Sequence, residues 1–252
     1  MSVLATYDWG LVWAHKGELF RGLIVAIEVA AVSLVISVVV GLLLALARMG
    51  KPPLSWIAAA YVNVFRGVPA LVSVIWVYFG LSLVVGINFT VFQAGVIALV
   101  LLYGAFISEI YRAALQAIPK GQREAGLALG MHPIRIFGSV TLPQATKIAI
   151  PNIGSMFIGM IKDTSTFTII GLLEVVRVTQ NLNSTTYQPF VLYTAAAGLY
   201  VIAAFVFDFL FRAIEKILTT PPSGGVGRAA TARRRARIEL VMQRVDALSG
   251  RT

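Results

Sequence analysis

Glu28, Glu109, Arg112, Lys162 and Asp163 lie within or at the edges of long apolar stretches. A charge at the centre of a membrane helix costs about 2.5–3.5 kcal/mol on insertion scales, so each such residue is expected to have a partner or a task along a polar path. Glu109 and Arg112 are three residues apart, share one helical face and can pair. Lys162-Asp163-Thr164-Ser165 sets a cation, an anion and two hydroxyls side by side deep in an apolar segment. No metal-binding motif or catalytic constellation accompanies these residues, so the chemistry on offer is binding.

The elements that position them are membrane helices. The 252-residue chain is 58% hydrophobic and 13% charged, where a soluble domain carries about a quarter charged residues. Its mean hydropathy is +0.83. Several segments run for about 18 residues or more almost without charge, the signature of membrane spans. A β-barrel would alternate over segments of about ten residues. The fold class is therefore all-α integral membrane. Cysteine is absent, which excludes disulfides and thiolate metal sites, and His15 and His132 belong to no ligand cluster. The net charge of +10 sits beside the spans and in the tail, where it orients the chain; nucleic acid is not an expected partner. Residues 1–22 hold Asp8, Lys16, Glu18 and Arg21 without a short apolar stretch and cleavage site. The first span is therefore expected to act as the insertion signal.

Five spans are predicted, at about 22–47, 67–87, 91–117, 143–171 and 189–214. Residues 56–66, with Trp56 and Tyr61, form an interfacial lead-in to the second, and a semi-polar stretch, "EVVRVTQNLNSTTYQ", separates the fourth and fifth. Residues 1–21 are an extracytoplasmic segment, 22–217 the membrane domain, and 218–252 a linker and basic cytoplasmic tail. One side collects Arg48, Lys51, Lys120, Arg123, Arg135, Lys147, Arg212 and Lys216; the other has only Lys16, Arg21 and Arg177. The asymmetry places the N-terminus outside and the 122–145 connection in the cytoplasm.

That connection, "QREAGLALGMHPIRIFGSVTLPQA", is a polar, helix-prone island. A helix is predicted to start after Pro119, with Glu124 in its first turn and Gly130 at its C-cap. "HPIRIF" makes a second short segment, and Pro143 opens the fourth span at a first-turn position. Ala125, Gly126 and Ala128 leave a narrow surface suited to a groove on a partner. A packed re-entrant loop without a partner fits the periodicity equally well.

Here the sequence resembles a known family. Glu124, Ala125, Gly130, Val140, Leu142 and Pro143 carry the spacing of the EAA motif of bacterial ATP-binding-cassette (ABC) importer permeases, with Gly126 where Ala is usual and Val140 where Ile is usual. "AYVNVFRGVPALV" (60–72), "ISEIYRAALQAIPKGQREA" (107–125) and "IKDTSTFTIIG" (161–171) resemble segments of the polar amino acid permeases of the histidine/glutamine/arginine type. The resemblance covers about residues 20–217. It implies the transmembrane domain of a type I ABC importer: five transmembrane helices with a coupling helix at about 121–136. Glu124, Ala125, Gly126, Leu127, Ala128 and Gly130 would then engage an ATPase. The implied partners are two ABC ATPase subunits, a second permease subunit (identical or homologous), an extracytoplasmic amino acid-binding protein and membrane lipid. The implied location is the bacterial inner membrane.

The resemblance also gives the polar residues roles. An amino acid carries an ammonium and a carboxylate, so its site needs opposite charges or dipoles. Lys162, Asp163, Thr164, Ser165 and Met156 are the implied substrate path, with Asp163 taking the ammonium and the hydroxyls helping to hold the carboxylate. The alternative is that Lys162 and Asp163 pair with charges in a neighbouring span. Where many relatives read Gly-Asn-Glu-Phe, this chain has Gly154-Ser155-Met156-Phe157. The missing acid favours an acidic or neutral polar substrate over a basic one. Arg66, Glu109 and Arg112 are expected to be structural or gating charges, Arg66 as an interfacial anchor before a Pro kink.

Gly22, Ala26, Ala30, Ser33, Ser37 and Gly41 recur about every four residues and predict a close helix contact. In the tail, Ile238, Val241, Val245 and Leu248 share a helical face beside the basic run 233–237, which suits an anionic leaflet or a disordered segment. No G-x-x-x-x-G-K-[ST] loop occurs, so no nucleotide-hydrolysing site or bound cofactor is expected on this chain; ATP and Mg belong on the partner ATPase subunits. The rival reading, an ion-coupled secondary transporter, lacks an inverted repeat and leaves the island without a purpose.

Overall fold

The computed structural model describes residues 7–219; the basic tail, read as a leaflet-binding face or a disordered segment, lies outside them. The chain divides into two units, residues 1–215 and 216–252; of the second, the described part is the last turn of the final helix. A short helix α1 (Gly10–Ala14) leads into α2 (Lys16–Arg48). Then come α3 (Leu54–Gly67), α4 (Ala70–Ile75), a π-helical segment (Trp76–Leu81), α5 (Ser82–Val85) and α6 (Val91–Gln116). The island holds α7 (Lys120–Ala128) and α8 (Pro133–Ile136). A second π segment (Phe137–Thr141) joins α8 to α9 (Leu142–Asp163), which tightens into a 3₁₀ segment (Thr164–Ile170). The last helices are α10 (Val175–Thr186) and α11 (Pro189–Thr219).

Among the described residues, three helices, α2, α6 and α11, are long and apolar enough to cross a membrane alone. Two bent pairs complete the count to five if each is one span: α3 with α4–α5, bent by 110°, and the Pro133–Ile170 run with α10, bent by 49°. The first bend falls at Val68-Pro69, both in extended conformation, because proline fixes φ and disfavours helix in the residue before it.

α6 is the central helix. Thr90 and Gln93 form a capping box at its start, the Thr90 hydroxyl accepting from the Gln93 N–H at 3.2 Å and the Gln93 side chain from the Thr90 N–H at 3.0 Å. Its most extensive neighbour is α2. The small-residue stripe of α2 is its buried face, and Gly41 shows why. A Cβ there would stand 2.7 Å from the Ile107 side chain of α6. Without that atom the backbones approach closely and gain dispersion contacts along the seam. Val35, Val39 and Leu43 on α2 and Phe205 and Phe209 on α11 stay exposed, the pattern of faces that meet lipid.

Several boundaries differ from expectation. α2 begins at Lys16, inside the segment read as extramembrane, because Leu19 packs with Leu182 and Leu192. The semi-polar stretch after the fourth span is a helix, α10. The Glu174 carboxylate caps it by accepting from the N–H groups of Val176 and Arg177, both at 2.8 Å, and Val175 and Leu182 are buried. Pro143 does stand in the first turn of α9, but the helix has already run through the π segment before it. A proline ring clashes with the carbonyl four residues back and leaves it without a donor, and an extra residue in the turn relieves both.

Candidate functional site

Asp163 closes α9. Its carboxylate accepts a hydrogen bond from the Tyr103 hydroxyl of α6 at 2.9 Å. Neither Asp163 nor Lys162 forms an ion pair among the described residues; the partner of Asp163 is a neutral phenol. Gly159, one turn before Asp163, makes the contact possible: a Cβ there would lie 2.7 Å from the Tyr103 oxygen. A cavity of about 310 Å³ opens here, lined by Asp163, Tyr103, Met156, Ser155, Phe106 and Val68 among others. One anionic group in an otherwise mostly apolar, aromatic hollow is suited to a cation such as a ligand ammonium.

The other residues of the expected path are placed elsewhere. Thr164 is fully buried, and its hydroxyl donates to the Ile161 carbonyl at 2.7 Å. The Ser165 hydroxyl donates to the Lys162 carbonyl at 2.6 Å. Both bonds belong to the tightening from α to 3₁₀ turn, which draws carbonyls three residues back into reach. The Ser165 hydroxyl is spent on its own helix, that of Thr164 also meets the Tyr200 hydroxyl of α11, and neither residue lines the cavity. Lys162 lines a separate groove with Tyr200 and Asp208 of α11. A helix separates residues 162 and 163 by about 100°, so neighbours in sequence face different surroundings. Met156 and Asp163 are thus the path residues brought together; Lys162, Thr164 and Ser165 are not.

Near the end of α6 that leads into the island, Glu109 gathers more cations than the expected one. It accepts from Arg112 at 2.7 and 2.9 Å, as the spacing predicts. Arg48, the last residue of α2, also donates to it, and Arg66 at the end of α3 approaches to 3.7 Å. The cluster ties three helices together. Arg48 and Tyr103 are the site residues that sequence reasoning missed. Arg48 reads as a loop-side orienting charge, and nothing local marks one tyrosine of an apolar helix as the partner of an aspartate 60 residues on.

The island is α7 followed by α8. The Schellman motif is complete at its turn: Met131 N–H donates to the Gly126 carbonyl at 3.0 Å and Gly130 N–H to Leu127 at 2.9 Å, with Gly130 at φ +74°. His132 caps α8, its Nδ1 accepting from the Ile134 N–H at 3.4 Å. α7 starts at Lys120, directly after Pro119 as predicted, and Glu124, its fifth residue, therefore stands in the second turn and not in the first. Gly126 is not part of the presented surface. It is buried, and a Cβ would stand 2.9 Å from Ile136, so its role is to let α8 fold back on α7. The exposed face carries Glu124, Ala125, Ala128 and the apolar Leu127, Leu129 and Ile134, the last two about three-quarters exposed or more.

A helical membrane core with a mostly apolar cavity that carries one carboxylate, and an exposed two-helix island, fits a transport permease. Residues 37–219 match the family model of the binding-protein-dependent transport system inner membrane component, and the chain belongs to that family. It is 34% identical over 201 residues to the arginine transport system permease protein ArtQ of Bacillus subtilis, covering 79% of this chain and 92% of that one. It is 33% identical over 212 residues to the glutamine transport system permease protein GlnP of Escherichia coli, covering 83% and 97%. A solved amino acid ABC transporter, crystallised with histidines, superposes with a TM-score of 0.76 at 32% identity, over 86% of this chain and 99% of that one. An inward-facing structure of the MetNI methionine ABC transporter shares the fold, with a TM-score of 0.68 at 24% identity, over 87% and 100%. The ABC permease family and its all-helical membrane fold are thus established.

Proposed function

We propose that this chain forms the translocation path of an ATP-driven importer of polar amino acids and couples that path to ATPase subunits. The observation that carries the reading is the Asp163 carboxylate, oriented by Tyr103 at the wall of a cavity of about 310 Å³. An ammonium can exchange with or add to the phenol as a partner of that carboxylate. The names of the relatives support an amino acid as solute. Met156 lines the cavity where many relatives carry an acid, which favours an acidic or neutral polar amino acid over a basic one.

The Lys/Arg asymmetry supports an extracytoplasmic N-terminus and a cytoplasmic island. The island's apolar tip, Leu127, Leu129 and Ile134, seats in an ATPase cleft with Glu124 and the small residues beside it. Two ATPase subunits, a second permease subunit and an extracytoplasmic binding protein complete the machine, with ATP and Mg held by the ATPases. ATP binds the closed ATPase pair more tightly than the open one, and the island passes that difference to the spans, opening the path outward; hydrolysis returns it inward. The test is uptake by the chain reconstituted with its ATPase and binding protein. Transport is expected to stop when ATP is withheld and to weaken in Asp163→Asn. Uptake that continues on an ion gradient alone overturns the reading.

A further inference from the structure

α2 and α11 meet near their starts, where Leu19 packs with Leu192 and Leu23 with Ala196 and Ala203. A groove of about 500 Å³ runs along the outside of this seam. Buried Leu19 and half-buried Leu199 form its floor, and the exposed Phe20 and Ile202 stand at its sides. Along α11 it reaches from Ala195 to Ile202, about 10 Å at 1.5 Å per residue. Gly198 keeps it open, because a Cβ there would meet no other atom within 4 Å. Elsewhere a glycine makes room inside the chain: for Ile107 at Gly41, for Ile136 at Gly126 and for Tyr103 at Gly159. Gly198 makes room for none of the described residues, yet it stands in the interior of a helix, where glycine is the poorest former after proline. Exposed Trp9 and Trp13 beside and on α1, with Tyr187, Phe190 and Tyr193 around the start of α11, put this end of the groove in the aromatic belt where membrane meets water. Lys16 is the one charged residue of the lining. Its ammonium lies 5.5 Å from the centre of the Trp13 ring and has no ion pair among the described residues; the nearby Glu18 carboxylate meets His15 instead, at 3.0 Å.

We propose that this groove binds one anionic phospholipid, with an acyl chain lying along Leu19, Gly198 and Leu199 and the phosphate held by Lys16. An ammonium at headgroup level answers the phosphate, and the apolar channel leading inward from it answers the chain attached to that phosphate. The lining holds no carboxylate to receive the ammonium of ethanolamine or choline. A lipid whose only headgroup charge is its phosphate, such as phosphatidylglycerol, is therefore the match. A second copy of the chain meeting this face through the same groove would set Lys16 against Lys16. The site shares no lining residue with the Asp163 cavity and does not depend on which solute crosses the membrane. The bound lipid bridges α2 and α11 where the two helices enter the membrane.

The test is native mass spectrometry of the full-length chain, released from detergent that holds equal amounts of phosphatidylglycerol, phosphatidylethanolamine and phosphatidylcholine with the same acyl chains. Retention of one phosphatidylglycerol per chain, ahead of the other two lipids, is expected. Lys16→Gln is expected to cut the preference for phosphatidylglycerol over phosphatidylcholine about fivefold, the scale of one cation beside an anionic surface. Gly198→Leu, which puts a side chain into the open groove, is expected to abolish retention. Gly198→Ala, which fills less of it, is expected to fall between and serves if the Leu variant does not fold. Lys51→Gln, which removes an exposed cation beyond the far end of α2, is expected to leave the preference unchanged. Equal loss in Lys51→Gln and Lys16→Gln assigns the preference to diffuse surface charge and overturns the site. Retention that survives Gly198→Leu overturns the groove as the seat of the lipid. Loss in Gly198→Leu with an unchanged preference in Lys16→Gln overturns the phosphate assignment. A lipid-free dimer of the chain that Gly198→Leu dissociates gives the groove to a second copy and overturns the proposal.

Discussion

The Tyr103 hydroxyl donates to the Asp163 carboxylate at 2.9 Å, and Gly159 is the residue that leaves room for it. One glycine on α9 thus determines whether α6 can offer a hydroxyl to the acid of the cavity. The relationship links helix packing to the chemistry of the path, because shifting either helix breaks the bond.

Gly159→Ala is expected to force Tyr103 away from Asp163 and to destabilise the protein by about 1–3 kcal/mol through overpacking. The melting temperature of the purified complex reads the effect. Adding Tyr103→Phe, which removes the crowded oxygen, should recover part of the loss. If the double variant is no more stable than Gly159→Ala alone, the contact has been misread.

Gly126→Ala is expected to push α8 off α7, since the new methyl would stand 2.9 Å from Ile136. Co-purification with the ATPase should fall while membrane insertion is retained. Ile136→Ala in the same chain opens the space and should restore association. A bulkier Gly126→Leu should abolish association in either background.

Glu109→Gln removes the one carboxylate that serves Arg48, Arg66 and Arg112. It should destabilise the protein more than Arg112→Gln does, by about 1–3 kcal/mol after allowance for partial exposure. Thermal melts with increasing chloride provide the check: added anion should narrow the gap between the two variants. Equal melting temperatures would show that the three cations are not competing for one partner.

Gly41→Val places side-chain atoms where the Ile107 side chain already stands, and Ile107 is fully buried. Loss of folded protein in detergent is expected, with partial recovery on adding Ile107→Ala. Val35→Ala, on the exposed side of the same helix, should leave folding intact. Size-exclusion profiles distinguish the three.

Much of this was legible along the chain. The stripe from Gly22 to Gly41 announces a close helix seam because small residues spaced near the helical repeat line one face. Gly130 announces the island's turn because a left-handed residue is most easily a glycine. The pairing of Glu109 with Arg112 follows from helical spacing alone. The polar helix α10 was hidden because its capping residue, Glu174, reads as another charge in a mixed segment; the Tyr200 hydroxyl of α11, donating to it at 2.6 Å, marks it as a buried anchor.

By itself the sequence determined the class, the small-residue contact face of α2 and the helical character of the island. Each depends on composition or on periodicity within one helix, where neighbours are three or four residues apart. The tertiary structure alone decided that Asp163 meets Tyr103, that Lys162 opens on a different groove, that Gly126 serves Ile136 and that Glu109 answers to three arginines. Those outcomes depend on how helices rotate and cross. Rotation about a helix axis is set by packing against every neighbour at once, so residues adjacent in the chain part company and residues 60 apart share a hydrogen bond.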